Sequence, residues 1–215
     1  MDIGYILTVL GVIFVSMTLH EVMHGLVAYR LGDETARLLG RLTLNPIKHV
    51  DPFMTVILPL LIVITNMLTG TNTPIFGGAK PVPFNPSRID HEEWGIALMA
   101  IAGPLTNLLL ALLSFILLVA IGSEANPIGK IALVSVWVNL GFFAFNILPI
   151  PPLDGSRVMY ALAPDFIRRG MDAIERYGIV FVFIIVMLAS PLLSAYMTSV
   201  IQFFLITFSR MFGVA

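Results

Sequence analysis

Cysteine is absent from this chain of 215 residues, and charged residues are scarce. Without cysteine the chain forms no disulfide, holds no iron–sulfur cluster and offers no thiolate to zinc, so any metal must be bound by nitrogen and oxygen atoms. Asp, Glu, Lys and Arg together make up 12% of the residues, whereas soluble globular proteins carry about 25%. The net charge is −1 and no basic run occurs, so we expect no nucleic-acid partner.

Hydrophobic residues account for 58% of the chain, and its mean hydropathy is +0.95. These values predict a multi-pass integral membrane protein in contact with the lipid bilayer. For a chain of this length we expect one membrane-embedded domain, residues 1–215, with a core over residues 1–160 and C-terminal helices over residues 171–215.

Membrane-spanning helices need about 20 consecutive apolar residues. The last apolar stretch, Gly178–Ser209, is too long for one straight span, so we expect two helices that meet at Ser190-Pro191, the first of them short. In the stretch before it, Ile131–Leu153, three prolines near the end must break the helix. The stretches that meet the length requirement are Ile3–Ala28, Trp94–Ile121, Ile131–Leu153 and Gly178–Ser209.

The stretch Pro52–Thr69 is marginal in length and has Pro59 at its centre. Lys and Arg in short loops collect on the cytoplasmic side of a membrane, and this rule helps to place the stretch. If Pro52–Thr69 dips into the membrane and returns, ten of the eleven lysines and arginines before Gly178 face the cytoplasm, and only Lys130 faces outside. If it spans, these charges divide five against six. We therefore expect a re-entrant or interfacial segment and an N-terminus outside.

Two further stretches between the spans have the residue pattern of extended chain. Ala36–Leu44 alternates loosely between polar and apolar residues, and Phe76–Pro86 carries prolines that cannot lie inside a helix. The sequence thus predicts an all-α polytopic membrane protein with about five membrane spans, one re-entrant or interfacial segment and a small membrane-associated β element.

His20, Glu21 and His24 form an HExxH pattern within an otherwise apolar stretch. Histidines at positions i and i+4 share one helix face, so both imidazoles can reach one metal ion. Glu21 points about 100° around the helix, from where it can take a proton from a water molecule that the metal activates. Without a metal, the charge of Glu21 alone would cost about 2.5–3.5 kcal/mol at the bilayer centre, and no basic residue in the stretch offsets this cost.

A catalytic zinc usually takes three protein ligands and keeps one position open. The carboxylates inside or at the edge of apolar stretches are Asp51, Glu93 and Asp154. Asp154 is the strongest candidate for the third ligand, because the prolines before it free the backbone to turn and Gly155 permits a close approach. Asp51 suits a helix N-cap, and Glu93 suits the first turn of the helix that follows it.

Three motifs occur together in the chain. They are HExxH at His20–His24, then Gly103-Pro104-Leu105-Thr106-Asn107, then Asn146-xx-Pro-x-Pro-x-Leu-Asp154-Gly155. In this order they resemble the site-2 protease family of intramembrane zinc metalloproteases, peptidase family M50, over most of the chain. The chain resembles a minimal form of that family, without PDZ or CBS domains.

The resemblance implies a role for each matching residue. It implies that one Zn²⁺ ion is bound by His20, His24 and Asp154, and that Glu21 is the catalytic base. Two asparagines, Asn146 and Asn139, would hydrogen-bond the substrate or the reacting centre. The residues that the resemblance assigns to a helix-packing motif are Gly103, Pro104 and Asn107.

The resemblance also implies a function. The protein would hydrolyse peptide bonds in transmembrane or membrane-proximal segments of membrane-protein substrates (regulated intramembrane proteolysis), in the cell membrane of a bacterium or an archaeon. Gly40–Leu44 and Gly77–Phe84 resemble the family's membrane-associated β-hairpin and the strand after it, whose edge could accept an extended substrate. Two alternatives stay open: a metal-binding membrane transporter, and a scaffold without proteolytic activity. The oligomeric state is not predicted.

Overall fold

The computed structural model describes residues 3–51, 57, 64, 68, 80–122 and 126–214. The stretch Pro52–Thr69 therefore lies outside the described residues, apart from three isolated positions, and its re-entrant character stays a prediction. Single 3-10 turns occupy Pro46–His49 and Pro86–Arg88. The helices in chain order are α1 (Ile3–Arg30), α2 (Thr35–Leu38), α3 (Glu92–Ile121), α4 (Pro127–Asn146), α5 (Asp154–Leu162), α6 (Asp165–Glu175), α7 (Ile179–Leu188) and α8 (Ser190–Phe212).

Four of these helices, α1, α3, α4 and α8, are long and apolar enough to cross a membrane. This confirms the predicted helical, multi-pass membrane protein. Helix α7 has ten residues and is about 15 Å long at 1.5 Å per residue, which is half the thickness of the hydrocarbon layer. It ends at Leu188, and α8 begins at Ser190. The predicted break at Ser190-Pro191 is therefore confirmed.

Helix α4 begins and ends earlier than the predicted span Ile131–Leu153. It begins at Pro127, where the side chain of Asn126 accepts a hydrogen bond from the N–H of Ile128 at 2.9 Å and so caps the helix. It ends at Asn146, because the prolines that follow cannot continue a helix.

The described residues contain no β-strand, and the predicted strand at Ala36–Leu44 is wrong. The short helix α2 (Thr35–Leu38) occupies its first residues instead, and in the turn before α2 Asp33 accepts hydrogen bonds from the N–H of Thr35 at 3.0 Å and from its hydroxyl at 2.5 Å. Leu38 and Leu39 are both exposed, so the loose alternation does not mark a buried face. Of the second predicted strand, residues 80–85 have no regular secondary structure, and residues 76–79 lie outside the described part of the chain.

Helix α3 packs against α1, α4 and α5. Where α3 and α4 meet α8, a buried apolar cluster forms from Ala111, Phe115, Val136, Leu140 and Phe208. Helices within a bilayer associate through close packing and interhelical hydrogen bonds, since lipid is as apolar as their side chains. The bundle is therefore held by the fit between these helices, and α3 contacts α1, α4, α5 and α8.

The segment from Lys80 to Asp90 runs beside the C-terminal end of α1. The N–H of Asn85 donates a hydrogen bond to Oδ2 of Asp33 at 2.6 Å, and the N–H of Asp90 donates one to the carbonyl of Leu31 at 2.8 Å. Both acceptors lie in the turn that follows α1, so this turn fixes one end of the segment.

The other end of the segment is bound by two residues of the loop after α2. Arg41 donates a hydrogen bond from Nη2 to the carbonyl of Lys80 at 2.8 Å, and the N–H of Lys80 donates one to the carbonyl of His49 at 2.8 Å. His49 is 3% exposed and therefore belongs to the interior of this loop. Anchored at both ends, the segment brings Val82 against α1.

Ion pairs hold the amphipathic helix α6 to its neighbours. Nη1 of Arg168 donates to Oε1 of Glu93, at the start of α3, over 3.0 Å. Arg157 of α5 pairs with Glu175 at the end of α6. Because α6 contacts both partners, these pairs help to fix α5 relative to α3, and Asp154 is the first residue of α5.

Replacing Asp33 with alanine is expected to destabilise the protein. Asp33 is 0% exposed, and its loss leaves the N–H groups of Thr35 and Asn85 without an acceptor, which costs about 1–3 kcal/mol. Burial alone would raise the pKa of Asp33, but the hydrogen bonds from Thr35 and Asn85 hold it below its usual value. Its contribution is therefore complete above about pH 4, the pKa of an unfolded carboxyl group, and is lost as the pH falls further.

The thermal unfolding midpoint in detergent measures this effect. The difference between the wild-type protein and Asp33→Ala should be largest at pH 7 and should shrink as the pH falls below 4. Glu34→Ala is the control, because Glu34 is exposed and its loss should change the free energy of unfolding by less than about 0.5 kcal/mol. Equal midpoints for Asp33→Ala and Glu34→Ala at pH 7 would contradict the prediction.

Candidate metal centre

Two histidines lie one helical turn apart on the inner face of α1. His20 and His24 are both buried, with 8% and 9% of their surfaces exposed. Their Nε2 atoms are 2.9 Å apart, and the two rings are nearly perpendicular, at 87°. The i, i+4 spacing thus brings both imidazoles to one point, as expected from the helical repeat.

Asp154 completes the cluster from the start of α5. Its Oδ2 atom lies 3.1 Å from Nε2 of His20 and 3.4 Å from Nε2 of His24. Ligand atoms of the three residues all lie within 4.8 Å of one another. Neither of the other two carboxylates considered from the sequence joins this group in the described structure, and Glu93 pairs with Arg168 instead.

The turn between α4 and α5 sets the position of Asp154. An added Cβ atom at Gly155 would overlap the carbonyl oxygen of Ile147 and would lie 2.7 Å from that of Leu148. A side chain at this position would therefore push α5 away from the end of α4, so the close approach requires glycine. The turn thereby directs the Asp154 carboxylate back to α1.

The hydrogen bonds on the far side of each imidazole define which nitrogen faces the cluster. Nδ1 of His20 lies 2.6 Å from Oδ1 of Asn107, and Nδ1 of His24 lies 2.8 Å from the carbonyl of Met99. Both of these oxygens are acceptors, so each Nδ1 carries the hydrogen and donates it. In the neutral rings both Nε2 atoms therefore present lone pairs to each other and to Asp154.

This arrangement fits a divalent cation. The Oδ2 atom of Asp154 is buried and has no hydrogen-bond donor, and the two Nε2 atoms beside it carry no hydrogen when the rings are neutral. Three acceptor atoms in contact repel one another unless a positive charge lies between them. Two imidazole nitrogens and one carboxylate oxygen also form a typical ligand set for a catalytic zinc with one open position.

Helix α3 closes one side of the cluster. At Gly103 an added Cβ atom would lie 2.6 Å from Cε1 of His20 and would overlap Nε2 of His24. These contacts are far shorter than a normal van der Waals distance, so any side chain here would displace both rings. Pro104 beside it is fully buried in the helix contact. Glycine at position 103 therefore lets the backbone of α3 form a wall of the site.

Glu21 is half-buried and follows His20 on α1. Its Oε2 atom accepts a hydrogen bond from the N–H of Val82 at 2.8 Å. Val82 is in turn buried against α1, where its Cγ1 atom lies 3.0 Å from the position of a Cβ atom added to Gly25. Within the described residues Oε1 accepts no hydrogen bond, so one carboxylate oxygen is held while the other is available.

The asparagines occupy different places around the site. Asn107 contacts His20 directly and, from Nδ2, donates a hydrogen bond to Oδ1 of Asn139 at 2.9 Å. Asn139 is fully buried in the bundle and lies behind Asn107 as seen from the cluster. Asn146 is half-buried at the end of α4, where its Nδ2 donates to the carbonyl of Phe142 at 3.0 Å.

Two contacts of this site could not be found by sequence reasoning. The carbonyl of Met99 and the N–H of Val82 are backbone groups, and the residue types that carry them give no signal. The contact between Asn107 and His20 had a signal, since an amide within an apolar span needs a hydrogen-bonding partner.

Comparison with known proteins links this arrangement to one family. The family model described as Peptidase family M50 matches residues 8–126 and 119–190. YwhC of Bacillus subtilis is 42% identical over 188 residues, which are 84% of this chain and 79% of that protein. Rip2 of Mycolicibacterium smegmatis is 28% identical over 214 residues, which are 94% of this chain and 74% of that protein. Both carry the name "Putative zinc metalloprotease". No solved structure matches the chain.

Replacing Gly103 with alanine is expected to weaken zinc binding at least tenfold, because the new methyl group overlaps both imidazole rings. Zinc content of the purified protein and competition with a chelator measure the effect. Gly141→Ala is the matched control, since an added Cβ atom at this glycine of α4 meets no atom within 4 Å. Wild-type zinc affinity in Gly103→Ala would show that the rings are not held against α3 as described.

Proposed function

This chain belongs to peptidase family M50 and is a multi-pass membrane metalloprotease that uses zinc, and from that premise we propose that it is an intramembrane endopeptidase. Its substrates are membrane proteins, and it cleaves them within or beside a transmembrane segment, as in regulated intramembrane proteolysis. The observation that carries this proposal is the position of the cluster on α1. Both histidines are buried within a helix long enough to cross the bilayer, so the peptide must be presented at membrane depth.

We assign the zinc ion to His20, His24 and Asp154. When bound there, zinc supplies a Lewis acid that makes a water ligand more acidic and polarises the carbonyl of the scissile peptide. The chain's own contribution begins with the orientation of the ligands. Asn107 and the carbonyl of Met99 hold the imidazoles, and hydrogen bonds of this kind fix the ligating nitrogen and raise its basicity.

Glu21 acts as the general base in this proposal. The hydrogen bond from the N–H of Val82 holds Oε2 and leaves Oε1 to accept a proton from the attacking water. Glu21 then returns this proton to the amine that leaves when the C–N bond breaks. Asn146 lies at the end of α4, on the turn that leads to Asp154. We retain it as the candidate hydrogen-bond donor to the substrate or to the developing oxyanion.

The scissile segment must be extended, because a helix shields its peptide bonds with its own hydrogen bonds. We propose that residues 80–85 hold this extended segment next to Glu21. Within the described residues the carbonyls of Val82 and Pro83 and the N–H of Phe84 carry no hydrogen bond, so they can pair with a peptide backbone. Recognition of this kind uses main-chain groups and therefore depends little on substrate sequence.

We further propose a cell-membrane topology with the N-terminus outside. In it Pro52–Thr69 is re-entrant or interfacial. Of the described helices α1, α3, α4 and α8 cross the membrane, one fewer than the about five spans expected from the sequence, because α7 is too short to cross by itself. The excess of Lys and Arg on one side supports this arrangement. It places His24 toward the cytoplasmic end of α1 and Asp154 just beyond the cytoplasmic end of α4.

Replacing Glu21 with glutamine is expected to reduce peptide-bond cleavage by several orders of magnitude while zinc content stays unchanged, because the amide cannot accept the proton. Asp154→Ala is expected to lose both zinc and cleavage. Purified protein in detergent, assayed for metal content and for cleavage of a single-span membrane protein, provides both measurements. A transporter or a scaffold would bind zinc in the wild type but would cleave no peptide bond. Cleavage by Glu21→Gln at the wild-type rate would show that Glu21 is not the general base.

The topology is tested by single cysteines, since the natural chain has none. In intact cells a membrane-impermeant thiol reagent should label Lys130→Cys but none of Lys48→Cys, Asn72→Cys and Arg169→Cys. After the cells are opened, all four should react. A spanning Pro52–Thr69 would put residues 48 and 130 on one side of the membrane and residues 72 and 169 on the other. Labelling of Lys48→Cys together with Lys130→Cys, or of Asn72→Cys together with Arg169→Cys, would therefore mean that this stretch crosses the membrane.

A further inference from the structure

We propose that Asn139, in α4, is a positioning residue of the metal site that acts through Asn107 to keep Nε2 of His20 as the atom that faces the metal. This inference rests on the proposed function, because it assigns His20 as a ligand. It gives α4 a part in the metal site although the helix supplies no ligand. The role differs from the substrate contact that the family resemblance implied for Asn139.

A continuous series of hydrogen bonds connects His20 in α1 to the backbone of α4. Nδ1 of His20 lies 2.6 Å from Oδ1 of Asn107, and Nδ2 of Asn107 donates to Oδ1 of Asn139 at 2.9 Å. Nδ2 of Asn139 donates to the carbonyl of Ser135 at 2.9 Å and approaches its hydroxyl oxygen at 3.2 Å. The series thus passes from α1 through α3 to the backbone of α4.

The backbone carbonyl of Ser135 sets the direction of every bond in this series. A carbonyl oxygen can only accept a hydrogen bond, so the amide of Asn139 must turn its NH₂ group to Ser135 and its oxygen to Asn107. Asn107 must then turn its NH₂ group to Asn139 and its oxygen to His20. A neutral His20 is left with one tautomer, in which Nδ1 donates to Asn107 and Nε2 carries no hydrogen.

The burial of both amides makes this direction costly to reverse. Asn107 and Asn139 are each 0% exposed, and no bulk water reaches such a position within a helix bundle in lipid. Flipping either amide would place two NH₂ groups or two oxygens against each other, which leaves a buried polar group unpaired. A reversed Asn107 would also present hydrogen atoms to Nδ1 of His20 and so favour the tautomer with hydrogen on Nε2.

The inference predicts a loss of zinc affinity when Asn139 is replaced. In Asn139→Leu, Asn107 keeps no partner that fixes its direction, and we expect zinc to bind about tenfold more weakly, within the range of about 10–100-fold for the loss of a ligand's hydrogen-bond partner. Asn139→Asp should retain most of the affinity when its buried carboxyl group is protonated, because one oxygen then accepts from Asn107 and the other donates its hydrogen to the carbonyl of Ser135. Ser135→Ala should also retain it, because the carbonyl that sets the direction stays in place.

Zinc affinity is measured on the full-length protein in detergent by competition with a chelator, for the single variants and for the pair Asn107→Leu and Asn139→Leu. If Asn139 acts through Asn107, the double variant should bind zinc no more weakly than Asn107→Leu alone. A residue that only fills space would give losses that add. Should Asn139→Leu fail to fold, Asn139→Ser takes its place, since the shorter side chain cannot reach Asn107.

Two results would overturn the inference. One is wild-type zinc affinity in Asn139→Leu, and the other is additive losses in the double variant. His20→Ala separates this inference from the function on which it rests. If His20→Ala loses zinc while Asn139→Leu does not, only the positioning role fails. If His20→Ala binds zinc like the wild type, His20 is not a ligand and both proposals fail.

Discussion

The repulsion between three acceptor atoms is the constraint on which the rest of the structure depends. Two imidazole nitrogens and one carboxylate oxygen meet within 3.4 Å of one another, in a bundle of helices long enough to cross a membrane. Such a group needs a positive charge among its atoms, which a divalent cation would supply, and the three proposed ligands come from two separate helices. Most of the unusual features nearby, among them Gly103, Gly155 and the prolines before Asp154, serve to bring those ligands together.

Helix α3 supplies no predicted ligand, but it positions both imidazoles of the site. The absence of a side chain at Gly103 admits the imidazoles, and the carbonyl of Met99 and the amide of Asn107 orient them. The same helix packs against α1, α4 and α5. The two helices that carry the proposed ligands are therefore positioned against a common support, which would let a metal centre keep its geometry where surrounding lipid offers no polar contacts.

Structural features that depend on residue type could be predicted from the sequence, whereas features that depend on backbone geometry could not. Apolar runs predicted the spans, and the HExxH spacing together with the proline-rich turn predicted the meeting of His20, His24 and Asp154. The strand expected at Ala36–Leu44 is absent, because Asp33 fixes the turn before a short helix that no alternation pattern reveals. The contact between Glu21 and a backbone N–H was likewise invisible, since any residue but proline can supply that group.

The two prolines beside Glu21 limit how tightly a bound chain can be held. Pro81 and Pro83 have no N–H, and the N–H groups of Lys80 and Val82 are already used within the protein, so Phe84 alone keeps a free donor between residues 80 and 84. Under the proposal that residues 80–85 hold the substrate, a bound peptide would gain few hydrogen bonds from this segment and its cleaved products would be held weakly. Weak retention would favour turnover over tight association, and the choice of substrate would then depend on how readily each transmembrane helix unwinds.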